Sequence, residues 1–241
     1  MSAPQGYRLV FEDQFEGSAL NTDWWAYRGT GPRRAGFNAP SQVKVQDGKL
    51  ILSAEYLENG EFGPGWYSGM IHLKQRYTRG YFEIRCICSE ALPKDSFWSA
   101  FWLQARNPYN AEISRGGPGG AEIDIFEAFF INGQTSIEQN IHCKGVTGST
   151  SGPNQTDHLR VGVFAVPNLC SDFNVFGLEW NEEEYIFYIN DEIVSRTSYG
   201  NGVSEVDEEV ILSLEIPGKI GHEKGDVREF IIDYIRIYQK V

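Results

Sequence analysis

A chain of 241 residues, 41% of them hydrophobic, can bury one sizeable core without splitting into separate domains. Its formal net charge of −12 disfavours polyanionic partners, so nucleic acid, anionic membrane surfaces and strongly sulfated glycans are not expected, and the Arg33-Arg34 pair is too small a patch to change that. No apolar run approaches the roughly 20 residues of a membrane span, and Met1-Ser2-Ala3-Pro4 lacks the charged and apolar regions of a signal peptide, as expected of a mature form.

Short segments rich in Val, Ile, Phe and Tyr, separated by Gly, Asn, Asp and Pro clusters, recur along the whole chain, whereas helical periodicity never lasts three turns. The expectation is an all-β fold in one domain, residues 1–241, with no linker and no repeat. Cys86 and Cys88 share the strand face of Phe82 and Ile84 and read as buried free thiols. Cys143 and Cys170 are a candidate bridge, although four cysteines in all do not make a disulfide framework. His72, His142, His158 and His222 lack metal-ligand spacing, so no catalytic zinc is expected.

In residues 96–103, Phe97, Phe101 and Leu103 share one strand face and Trp98, Ala100 and Trp102 the other. An aromatic row of the second kind suits the apolar C–H face of a sugar ring, with core packing as the competing reading. A long connection, 107–120, carries Gly116-Gly117-Pro118-Gly119-Gly120 and leads into Glu122-Ile123-Asp124-Ile125-Phe126-Glu127. Three carboxylates stand there in an otherwise apolar segment. Strand alternation puts Glu122 and Asp124 on one face and Ile123 and Ile125 on the other, and leaves Glu127 with the wrong parity. A β-bulge at Ile125-Phe126 would return Glu127 to the acidic face and leave Ala128 and Phe130 facing the core.

Like charges so placed raise the pKa of at least one member, which makes an acid and a base from the same chemistry. The Glu122 and Glu127 backbones would lie roughly 13 Å apart, so both side chains must lean inward over Asp124 to reach the roughly 5–5.5 Å carboxyl separation of a retaining glycosidase. On the next segment, 136–143, Glu138, Asn140 and His142 form a polar row beside the acids, opposite Ile137, Ile141 and Cys143. A second long connection, 144–170, has no clear strand pattern before Leu159, and both long connections are expected to wall a cleft. Tyr185 to Ile189, Asn190-Asp191 and Glu192-Ile193-Val194 read as a hairpin. Asp233 falls in the row Ile231, Asp233, Ile235, Ile237, where a carboxylate costs on the order of several kcal/mol unless it is paired or bound to a cation.

Glu-Ile-Asp-Ile-Phe-Glu resembles the E-x-D-x-x-E signature of glycoside hydrolase family 16, in the bulged form shared by laminarinases and related endo-β-galactosidases. Further resemblances follow in chain order: Leu9-Val10-Phe11-Glu12-Asp13-Gln14-Phe15, Asp47-Gly48-Lys49-Leu50, Gly80-Tyr81-Phe82-Glu83-Ile84-Arg85, Phe97-Trp98-Ser99-Ala100-Phe101-Trp102-Leu103, and Asp233-Tyr234-Ile235-Arg236-Ile237-Tyr238. The resemblance implies a concanavalin A-like jelly-roll β-sandwich with an open cleft, Glu122 as nucleophile, Asp124 as helper and Glu127 as acid/base, with no catalytic cofactor. It places Trp98 and Trp102 in the sugar-binding cleft. Asn140 and His142, with Asn38, Arg76, Glu179 and Trp180 as weaker candidates, complete the substrate-binding set. It also implies a structural calcium ion held by Glu12, Gly48 and Asp233.

The expected activity is endo-acting, retaining hydrolysis of internal β-1,3 or β-1,4 bonds in a polysaccharide or oligosaccharide, by a secreted monomer. Laminarin-type β-1,3-glucan is one candidate substrate. An endo-β-galactosidase acting on host-type glycans is the other, favoured by Ser99 where laminarinases usually have Pro and by Phe126 where they usually have Met. A transglycosylase and a non-catalytic carbohydrate-binding protein are further alternatives.

Overall fold

The computed structural model describes residues 4–147 and 157–241. Among the described residues the strands are, in chain order, β1 (Tyr7–Asp13), β2 (Trp25–Tyr27), β3 (Gly31–Arg33), β4 (Gly36–Asn38), β5 (Val43–Gln46) and β6 (Lys49–Leu57). The chain continues through β7 (Gly65–Ser68), β8 (Met70–Leu73), β9 (Gly80–Ile87), β10 (Trp98–Gln104), β11 (Glu122–Ile131) and β12 (Gln134–Cys143). It ends with β13 (Asp157–Phe164), β14 (Asn174–Trp180), β15 (Tyr185–Ile189), β16 (Glu192–Thr197), β17 (Glu209–Glu215) and β18 (Arg228–Lys240). Seven strands form one sheet, ordered β13-β12-β11-β10-β17-β8-β2. The rest form a second sheet along β16-β15-β14-β9-β18-β6-β7-β4-β3, with β1 added to β18 and β5 to β6.

This is the jelly-roll β-sandwich expected of alternating strands. Each sheet turns one face inward: Phe97 just before β10, Phe101 and Leu103 of β10 and Val210, Leu212 and Leu214 of β17 meet Phe82 and Ile84 of β9 and Phe176 and Leu178 of β14 in one continuous core. The β15–β16 hairpin forms as expected, with Asn190 and Asp191 at φ 47° and 72°. Both residues tolerate the left-handed region because their short polar side chains can hydrogen-bond locally.

The bulge is where the site is made. Pairing with β12 runs Glu122 to His142 and Asp124 to Asn140, then slips, so that the next register pair is Glu127 to Glu138. Ile125 and Phe126 consequently both point into the core, and Phe126 packs on Phe176 with ring centroids 4.5 Å apart. Two consecutive inward residues return Glu127 to the outer face. Ala128 enters the core as expected, but Phe130 is only half-buried and lies outside the core cluster, in a shallow groove with Leu92 and Pro93.

A second bulge corrects the reading of Asp233. Register on β18 shifts between Ile232 and Tyr234, so Ile232, Ile235 and Ile237 are the core residues and Asp233 leaves their row. All four cysteines are free thiols. Cys86 and Cys88 are buried as expected, whereas the Cys143–Cys170 bridge does not form, since Cys143 is buried beside Ser114 and Cys170 lies near Cys88 and Thr135.

Candidate active site

The outer face of β10 and β11 floors a cleft in which Glu122, Asp124 and Glu127 converge with Trp98, Ala100 and Trp102. The floor follows from strand parity, because the odd-numbered residues of β10 are spent on the core. Walls come from the segment around β2–β3, which brings Arg28, Arg33 and Arg34, from Glu215 on β17, and from Tyr109 in the connection 105–121.

That connection is compact. Asn110 caps the short helix α1 (Ala111–Ser114), its Oδ1 accepting the backbone N–H groups of Glu112 and Ile113 at 3.0 and 3.2 Å. A Cβ on Gly119 would fall 1.7 Å from the carbonyl oxygen of Ile113, so the glycine run lets the chain fold back tightly enough to aim Tyr109 at the acids. The Tyr109 hydroxyl donates to Oε2 of Glu122, and the Gln104 amide donates to the same oxygen at 2.5 Å. Arg28 fixes the Gln104 amide by donating to its Oε1 at 2.6 Å, and Arg28 is itself held by Glu209 at 2.8 Å. Burial works against the Glu209 charge, yet His72 and Arg28 hold its pKa down at about 2.

Asp124 is buried, with Oδ2 lying 3.1 Å from Nε2 of His142. Burial first, and then the charges of Glu122, Glu215 and Glu138, push its carboxyl well above the usual range. Glu127 is pushed up in the same way, by burial and then by Asp124, against the opposing effect of its hydrogen bond from Trp98. Its Oε1 accepts the Trp98 indole N–H at 2.9 Å and its Oε2 accepts the Asn140 amide at 3.0 Å. The site thus holds two carboxyls that favour the proton beside a third, Glu122, whose two hydrogen bonds fall on one oxygen.

The structure divides the remaining sequence-derived candidates. Asn140 is buried and donates to Glu127 and, at 3.3 Å, to Glu138, so it holds the acid rather than offering itself to a ligand. His142 stacks on His158 with ring centroids 4.6 Å apart. Trp98 and Trp102 do line the cleft, but each carries a guanidinium over its ring, Arg34 at 4.8 Å and Arg28 at 5.0 Å. Four candidates are corrected. Asn38 is buried, its amide directed at the Met70 sulfur, and does not reach the acids. Arg76 is consumed by Asp207 at 2.9 Å and by the Gln104 carbonyl at 3.1 Å. Trp180 is core, its indole donating to the Ser204 carbonyl, and Glu179 accepts the hydroxyls of Tyr7 and Tyr188 on the opposite sheet.

The expected calcium ligands do not fit a cation. Asp233 faces Lys49 at 2.8 Å and Arg85 at 2.5 Å, and Glu12 is bonded to Arg236 at 2.6 Å. Fixed side-chain cations already neutralise both carboxylates, and although burial works against its charge, Lys49 and Arg85 hold Asp233 below the usual carboxylate range. Among the described residues, the grouping of three His, Cys, Asp or Glu side chains close enough to share an ion is Glu122, Asp124 and His142, at the acids themselves.

Both departures read as substrate signals prove to be core features. Ser99 is buried and its Oγ accepts the Ser89 backbone N–H at 2.8 Å, and Phe126 packs inward. Neither side chain lines the cleft. Sequence reasoning missed Tyr109, Gln104, Arg28 and Glu215; Arg33-Arg34 was visible but was weighed only as a surface patch. The cleft-wall expectation holds for the first long connection through Tyr109. The second carries the edge strand β13 (Asp157–Phe164), and its residues 148–156 lie outside the described residues.

The family described as Glycosyl hydrolases family 16 matches residues 34–211. A β-glucanase of Rhodothermus marinus is 26% identical over 98% of this chain and 86% of its own length, and a glucan endo-1,3-β-glucosidase of Cryptopygus antarcticus is 28% identical over 95% and 90%. Among solved structures, LamAcat of Zobellia galactanivorans superposes with a TM-score of 0.74 at 22% identity, covering 96% of this chain and 97% of that one.

Proposed function

As the chain belongs to the glycosyl hydrolases of family 16, we propose that it is an endo-acting, retaining β-glucanase that cuts internal β-1,3 or β-1,4 bonds of a laminarin-type glucan. One observation carries the mechanism: a bulged strand sets Glu122, Asp124 and Glu127 on one cleft face, with the proton favoured on Glu127 and two donors gathered on Glu122. In this reading Glu122 attacks the anomeric carbon while Glu127 protonates the departing oxygen. Glu127, now ionised, then removes a proton from the water that displaces Glu122. Asp124, buried between them and protonated, lowers the repulsion that a third negative charge would add. The chemistry uses the chain's own carboxyls and needs no cofactor.

The β-glucan side of the substrate choice is supported by the names of the curated relatives and by the core positions of Ser99 and Phe126, which remove the argument for a galactan. A hydrolase is favoured over a binding module because Asp124 is buried and the partly buried Glu122 and Glu127 are each organised by two donors, an arrangement that sugar binding alone does not require. We further propose that the enzyme is secreted and works as a monomer, a reading supported by the size of a polymeric substrate, which is met outside the cell. Digestion of laminarin, lichenan, agarose, keratan-type and mucin-type glycans, with mass analysis of the products, tests this. Oligosaccharide ladders from laminarin or lichenan are expected; cleavage of agarose, keratan or mucin glycans alone would overturn the glucan assignment.

A further inference from the structure

The two hydrogen bonds on Glu122 fall on the same atom. Tyr109 and Gln104 both donate to Oε2, and among the described residues no donor is directed at Oε1. Gln104 cannot turn its amide around without losing Arg28, whose guanidinium occupies the amide oxygen at 2.6 Å and is anchored on Glu209. Tyr109 keeps its proton, because burial and the neighbouring Glu122 charge push its hydroxyl far above the ordinary phenol range. The shift favours the protonated hydroxyl, the form that donates to Glu122.

We propose that Tyr109 is a positioning residue, which with Gln104 reserves Oε2 of Glu122, leaves Oε1 as the attacking atom and promotes the second displacement. The inference rests on the reading of Glu122 as nucleophile. In the first step a lone pair on Oε1 forms the bond to the anomeric carbon, the bond to the leaving oxygen breaks, and the Glu127 proton goes to that oxygen. Oε2 is then the carbonyl oxygen of an ester, a weaker acceptor than a carboxylate. In the second step water supplies oxygen to the anomeric carbon and a proton to Glu127, and the electron pair of the ester bond returns to Glu122. Negative charge grows on Oε2 as that bond breaks, so donors aimed there stabilise the departing carboxylate. They also stabilise the carboxylate before the first attack. Their net benefit consequently falls on the second step.

The test uses intact mass spectrometry of the glycosyl-enzyme formed from a dinitrophenyl 2-deoxy-2-fluoro-β-glycoside of a β-1,3-linked disaccharide. Tyr109→Phe should lengthen the life of the Glu122 adduct about tenfold, which corresponds to about 1.4 kcal/mol. On the unfluorinated dinitrophenyl glycoside, kcat should fall by a similar factor and KM should fall with it, because the intermediate accumulates. Gln104→Leu should act in the same direction. Tyr109 lies on a partly exposed wall, and a melting temperature equal to that of the unmutated protein would show that the Phe variant is folded. An adduct lifetime that does not change, or a loss of kcat/KM with KM constant, would overturn the assignment. If no adduct forms on Glu122 in the unmutated enzyme, the nucleophile reading itself fails, and that result is visible separately from any effect of Tyr109.

Discussion

Trp98 and Glu127 are joined across β10 and β11: the indole N–H donates to Oε1 at 2.9 Å, and this bond opposes the burial that otherwise keeps the Glu127 carboxyl protonated. The residue read from the sequence as a sugar platform is thus also a regulator of the acid. Trp98→Phe should retain an aromatic surface but remove the donor, letting the Glu127 pKa rise further. The basic limb of the kcat/KM profile reports loss of the proton from the general acid, so it should move to higher pH in the variant. A limb that stayed in place would separate Trp98 from the acid's titration.

Replacing the two outer acids should give opposite kinetic signatures. Glu122→Ala should abolish hydrolysis with the fold intact, and azide should restore turnover of an activated substrate by entering the vacated face, giving an α-glycosyl azide. Glu127→Gln should lose at least about a hundredfold on substrates whose leaving group needs a proton and much less on dinitrophenyl glycosides. Equal losses on both substrates would contradict the assignment of Glu127.

Glu208 offers a test through stability. Its side chain is fully buried, Oε1 accepts the Ala121 backbone N–H at 3.1 Å at the entry to the catalytic strand, and burial raises its pKa to about 8 from 4.5. The folded state therefore holds a proton that the unfolded chain releases, so stability from this group is full below about pH 4.5 and is lost as the pH rises towards about 8. Glu208→Gln should leave the melting temperature near pH 4 unchanged. At pH 8 or above it should raise stability by on the order of a few kcal/mol, or several degrees in a domain of this size. A difference independent of pH would mean that Glu208 does not titrate there.

On the opposite sheet, Lys49 and Arg85 neutralise Asp233 where the family resemblance implies calcium. Chelator should accordingly shift the melting temperature by less than about 1 °C, whereas a bound ion at a hundredfold excess over its Kd would contribute about 2.7 kcal/mol. A chelator-dependent loss of several degrees would restore the cation.

The sandwich and the three acids were legible in the sequence because both depend on local parity. Alternation of Phe97, Phe101 and Leu103 against Trp98, Ala100 and Trp102 fixed which face is core, and the mismatch of Glu127 with Glu122 and Asp124 required a bulge. Parity failed at Asp233, where a second bulge left no mismatched charge to betray it. The remainder of the site depends on long-range contacts. Arg28 meets Gln104 across 76 positions, Glu215 meets Arg33 across 182, and Tyr109 arrives from a loop whose course is set by a glycine run. Nothing in the local pattern of these residues differs from an ordinary solvated side chain.

The proposed mechanism turns on direct attack of Glu122 on the sugar. Carboxyls roughly 5–5.5 Å apart permit that attack and two inversions, whereas a gap of roughly 6.5–9.5 Å admits a water and inverts the anomer once. Proton NMR of the earliest products from a β-linked glucan distinguishes the two outcomes before mutarotation mixes them. With double displacement the β-anomer appears first; initial release of the α-anomer would contradict that mechanism and, with it, the roles given to Glu122, Glu127 and Tyr109.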